Sequence, residues 1–111
     1  MVVLVGQHLS AAFLSLLSEV ADLEVNGVDV VIEERHYNEI QREIEGKRLD
    51  EFVRFRGRLA RYVQELLTED RYQWFRDDVD SDADGRIIMN AWVLRALWNI
   101  FKADGTIPHA V

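Results

Sequence analysis

Between Asp78 and Gly85 the chain sets an aspartate at every second position, Asp78, Asp80, Asp82 and Asp84, with Asp77 directly before them. Carboxylate oxygens are the ligands that hard cations prefer, and such ions need several of them at once. In "DSDADGRIIMNA", residues 80–91, alternate aspartates on a tightly turning backbone would aim three carboxylates at one point. Gly85 permits the turn, Arg86 is placed to offer its backbone carbonyl, and Ile87 is placed to enter the core and anchor the loop. Five aspartates within eight residues also repel one another, and a bound cation would relieve that repulsion.

With oxygen ligands at the first, third and fifth places, glycine at the sixth and an apolar residue at the eighth, the stretch resembles the calcium loop of an EF-hand, or the related loop of dockerin modules. The resemblance implies Asp80, Asp82 and Asp84 as side-chain ligands and Arg86 as a backbone-carbonyl ligand whose side chain need not matter. It also implies Ca2+ as cofactor, and nothing in the chain asks for an organic one. The twelfth place departs from the pattern, because Ala91 stands where the family has a glutamate or aspartate. That removes two oxygens and a charge, leaving Asp78 and Asn90 as further candidate ligands. "KADGTI", residues 102–107, repeats the ending of the loop but lacks its first acids, so no paired loop is expected. The competing account is an acidic helix connection in which an aspartate or Asn90 caps the last helix.

Little else in the chain carries chemistry. Glu33, His36, Glu39 and Glu43 give one Glu-x-x-His pattern, whereas a di-iron bundle needs that pattern from two helices, so a solvated charged face is expected. His8 and His109 have no carboxylate or nucleophile pattern beside them. There is no glycine-rich phosphate loop, nucleophile elbow or His-Glu-x-x-His pair, and a non-enzymatic protein is expected. The absence of cysteine excludes disulfides and thiolate metal sites and fits a cytoplasmic location.

A net charge of −7 opposes nucleic-acid binding, which relies on neutralising phosphates. The charge is uneven: residues 35–61 hold eight basic side chains against five acidic, and residues 65–84 hold eight acidic against two basic. Arg54, Arg58 and Arg61 recur at helical spacing, and Trp92 and Trp98 fall at the margins of the last helix. Tryptophan and arginine are enriched at binding hot spots, so these five residues are the candidate surface for a protein partner or a second copy.

The elements that must position these residues follow from apolar spacing. Leu9, Phe13, Leu16, Leu17 and Val20 predict a first helix; Tyr37, Ile40 and Ile44 a short one that breaks at residues 45–47. Phe52, Phe55, Leu59, Tyr62, Val63 and Leu66 predict one long helix over residues 49–68 with Gly57 inside it. "RYQWFRDDV" extends it or adds a turn, and Val93, Leu94, Leu97, Ile100 and Phe101 define a last helix stopped by Gly105 and Pro108. Asn26-Gly27 between β-branched stretches predicts a hairpin near residues 23–32, which must pack on helices or gain a strand. The apolar start, with "VVLV" at residues 2–5, reads as core and not as a membrane anchor or signal peptide.

The fold expected is therefore mainly α, a compact bundle of about four helices with one small hairpin, in a single domain over residues 1–111. The function expected is that of a small binding or assembly protein with a structural calcium site in its acidic loop. The alternative is a metal-independent interaction module, such as an adaptor, an inhibitor or a subunit of a complex.

Overall fold

The apolar spacing at the start of the chain is realised as α1 (Ala11–Ala21), which buries Phe13, Leu16 and Val20. A computed structural model describes residues 9–106; the run at residues 2–5, His8, Pro108 and His109 lie outside the described residues. Ser10 caps α1 by accepting the Phe13 N–H on its hydroxyl at 3.1 Å. Its own N–H donates to Oε1 of Gln41 at 3.0 Å, a polar side chain buried in α2 (Tyr37–Glu45).

Next come β1 (Glu24–Val25) and β2 (Val28–Val31), paired antiparallel with Val25 opposite Val28. Asn26 and Gly27 both take positive φ, 53° and 78°, as the tight hairpin turn requires. The hairpin gains a third strand: β3 (Ile87–Ile88) runs parallel to β2, with Ile87 beside Val30 and Ile88 beside Val31. The Met89 N–H extends the pairing to the Val31 carbonyl at 2.8 Å. A 3₁₀ turn at Glu34–His36 leads from β2 into α2, which buries Ile40 and Ile44 before Gly46 ends it.

The long helix expected over residues 49–68 is divided into α3 (Leu49–Arg56) and α4 (Leu59–Thr68). The hydrogen-bond ladder tightens at the junction, where the Arg58 N–H reaches the Phe55 carbonyl at 3.0 Å, and Arg58 leaves the helical region at φ −114° and ψ 12°. The helix resumes with the Tyr62 N–H on the Arg58 carbonyl. A second 3₁₀ turn, Asp70–Tyr72, then leads into α5 (Gln73–Asp78), which buries Phe75. The last element, α6 (Ala91–Thr106), continues through Gly105 where the sequence predicts a stop, a difference of two residues at a helix end. The fold is thus mainly α, with six α-helices and a small three-stranded sheet among the described residues.

Helix α6 is the central one. It packs on α2 and α4 and buries Val93, Leu94, Leu97, Ile100 and Phe101. Its polar face is tied down: Arg95 pairs with Glu43 of α2 and Lys102 with Glu51 of α3. The Phe55 ring lies 5.0 Å from Trp98 and 5.8 Å from Phe101, both edge-on, which suits the aromatic quadrupole.

Two substitutions test this packing. Gly57 sits at φ −68° and ψ −11°, and an added Cβ would meet nothing closer than carbonyl oxygens at 3.7 Å, an ordinary contact. Gly57→Ala should therefore stabilise the protein, by about 0.4–1 kcal/mol in urea unfolding, by restricting the unfolded chain; a loss would mean that the junction needs glycine. The Tyr62 hydroxyl is buried with no hydrogen-bond partner among the described residues. A buried polar group without a partner carries a desolvation cost of about 1–3 kcal/mol, so Tyr62→Phe should leave stability unchanged or raise it.

Candidate functional site

The acidic loop closes on itself through its backbone. The Asp82 carbonyl accepts the Gly85 N–H at 3.0 Å, the Arg86 carbonyl accepts the Asp82 N–H at 3.0 Å, and the Asp80 carbonyl accepts the Ile88 N–H at 2.9 Å. Gly85 has φ 78°, the left-handed residue that follows a β-turn in a three-residue hairpin loop. Ile87 is buried beside Val30, as its place in the loop predicts.

Within this turn the Asp82 carboxylate is the organising group. Oδ1 accepts the backbone N–H of both Asp84 and Arg86 at 2.9 Å, and Oδ2 accepts Nε of the Arg86 guanidinium at 2.7 Å. Arg86 also lies 3.7 Å from the Asp84 carboxylate. The Arg86 N–H above all, with its guanidinium and the Asp84 N–H, holds the Asp82 carboxyl below the usual aspartate range. Arg35 extends the positive charge: hydrogen bonding to Glu33 first, then the fields of Glu33, Asp80 and Glu39, keep it more firmly protonated than usual.

The ligand set expected by resemblance is therefore distributed differently. Asp82 faces its own backbone and Arg86, the Arg86 carbonyl is engaged by Asp82, and Asp78, Asp80 and Asp84 are exposed. Among the described residues no group of three or more His, Cys, Asp or Glu side chains is arranged to hold a metal ion. The Arg86 side chain, which the calcium-loop pattern does not call on, is the counter-ion of the loop. Asn90 caps α6 by accepting the Val93 N–H at 3.1 Å. Glu39 assists there: Oε1 accepts the Ala91 N–H at 3.2 Å and lies 2.8 Å from His36 Nδ1. The Glu-x-x-His stretch thus clamps the start of α6, with His36 Nε2 buried 3.9 Å from Glu33 and outside hydrogen-bond reach.

The candidate partner residues divide in a similar way. Trp98 is half-buried among Phe55 and Phe101 and is covered by the Lys47 ammonium, 4.4 Å from its ring centroid. Trp92 is half-buried with its ring 5.5 Å from Phe75. Arg58 and Arg61 lie 3.8 and 3.2 Å from Asp104 of α6, while Arg54 is exposed with no ion pair among the described residues.

Sequence reasoning passed over the side chains that stand open. Trp74 on α5 is 51% exposed, and Leu49 and Val53 on α3 are 69% and 44% exposed. Trp74 falls outside the apolar periodicity of its neighbours, and that was the available signal; the same holds for Leu49 and Val53 beside Phe52 and Phe55. An open cleft of about 480 Å³ between α1 and β2 is lined by Leu17, Val31, Ile32 and Tyr37, with Asp29 and Arg86 at its polar edge. No helix among the described residues is long and apolar enough to cross a membrane. Neither protein-family models nor curated proteins nor solved structures give a match to this chain.

The Asp82–Arg86 pair predicts a defined acid response. Because folding depresses the Asp82 pKa from its ordinary 3.8, the stabilisation is fully present above that value and is lost as pH falls through the lower folded value. Unfolding of wild type and Asp82→Asn across this range should show wild type more stable at neutral pH and the gap closing in acid. A gap of constant size would contradict this account of the pair.

Proposed function

We propose that this chain is a non-enzymatic, metal-independent protein interaction module that binds a basic segment carrying an apolar side chain. The observation that carries the reading is the exposed Trp74, with Asp70, Asp77 and Asp78, each within four residues of it along the chain, also exposed. An indole in water beside unneutralised carboxylates suits a ligand that brings both positive charge and apolar surface. Support for metal independence comes from the loop, where Arg86 supplies the positive charge that a cation would otherwise bring.

Such a surface steers partners by charge and holds them by the aromatic contact. Arg71, stacked 4.9 Å from the Tyr72 ring, limits how far that aromatic surface extends.

Tryptophan fluorescence gives the test. Titration with a short peptide of lysine, arginine and leucine should produce a saturable change that Trp74→Phe abolishes, weaker at high salt and equal in calcium and in chelator. An acidic peptide of the same length should produce none. A response indifferent to Trp74→Phe would overturn the placement of the surface, and one that requires calcium would return the loop to a metal-binding role.

A further inference from the structure

We infer that the occupant of the Trp74 surface is the α3 face of a second copy of this chain, bound head to tail; the inference rests on the interaction-module reading. The large exposed hydrophobic side chains among the described residues are Leu14, Leu49, Val53 and Trp74. They lie on surfaces of opposite charge. Leu49 and Val53 are one turn apart on α3 and so share a face. They sit in residues 47–61, which hold six basic side chains against two acidic. Leu14 lies on α1, which packs against α3. Trp74 sits in residues 65–84, with eight acidic side chains against two basic.

Each surface therefore offers what the other lacks: cations flanking aliphatic side chains on α3, carboxylates flanking an indole on α5. Several of these charges remain open for the purpose. Arg54 and Arg56 on one side, and Asp70 and Asp78 on the other, make no ion pair among the described residues.

The two surfaces cannot satisfy each other within one molecule. Helix α4 separates them: α3 precedes its first turn, while Arg76 of α5 donates to the Leu66 and Glu69 carbonyls at its far end. A ten-residue helix holds those ends about 15 Å apart. Contact between unlike surfaces of identical chains is heterologous, so it grows into a ring or a filament instead of stopping at a symmetric pair. Two short helix faces form a small interface, so assembly is weak and depends on concentration.

Sedimentation velocity on the full chain tests this at rising concentration, in about 0.1 M and about 1 M salt, where the screening length falls from about 10 Å to about 3 Å. The expected result is a weight-average mass that climbs past the dimer at low salt and returns towards 12.9 kDa at high salt. Trp74→Ala and the double variant Leu49→Asp/Val53→Asp change exposed side chains, and circular dichroism should show both folded. Each alone should stay monomeric, and their equimolar mixture should form a dimer that grows no further, one intact surface coming from each. A wild type that is monomeric throughout, or association that Trp74→Ala leaves intact, overturns the inference, as does a mixture that fails to associate. If the wild type is monomeric yet its Trp74 fluorescence still responds to the basic peptide, the interaction-module reading stands and the partner is another protein.

Discussion

A two-stranded hairpin is marginal in water, and β1 and β2 contribute only two and four residues. Parallel pairing of Ile87–Ile88 with Val30–Val31 gives β2 a second neighbour, and both isoleucines are buried. The same contact fixes where the acidic loop ends and where α6 must begin, three residues later, against Glu39 and Asn90. Separating β3 from β2 would loosen the hairpin, the loop and the start of the central helix together. Ile87 anchors the loop by joining the sheet beside Val30.

Charge inside the loop follows from that constraint. Once β3 is docked, Asp80 and Ile88 are held across from each other, and the turn brings Asp82 next to Arg86. Two backbone N–H groups and a guanidinium on one carboxylate make strong, charge-assisted bonds, so Asp82 is stabilised as an anion by the chain itself. The remaining aspartates point outwards, where water and salt moderate their repulsion. Repulsion among the five is thus reduced by one internal cation and by distribution.

Much of the architecture was legible because its signals are local. Apolar steps of three and four residues marked the helical segments, and Asn26-Gly27 marked its turn by requiring positive φ at both positions. The division of residues 49–68 was not legible, since Phe52, Phe55, Leu59, Tyr62 and Leu66 keep helical spacing straight through the bend at Arg58. The partner of the hairpin was hidden for a different reason: a two-residue strand has no period, and parallel pairing across 57 positions leaves no local mark. In the loop, ligand spacing was visible but the direction of each group was not. A spacing rule cannot tell a carboxylate aimed at a cation from one aimed at its own backbone, and the basic side chain of Arg86 was the residue that decided between them.

The charges of this protein divide into those that close the fold and those left at its ends. Glu43 with Arg95, Glu51 with Lys102, Arg76 on the end of α4, and Asp82 with Arg86 each join elements or shape a turn. Exposed pairs of this kind contribute little, about 0–1 kcal/mol each, while the aromatic and aliphatic core around α6 supplies most of the stability. The fold should consequently tolerate salt. The unpaired arginines of α3 and the open aspartates near α5 have no comparable core behind them, so whatever they hold together is held chiefly by long-range attraction and a few apolar contacts. Salt therefore acts on the two levels differently: at concentrations that leave the helices packed, it should release whatever partner the charged ends retain.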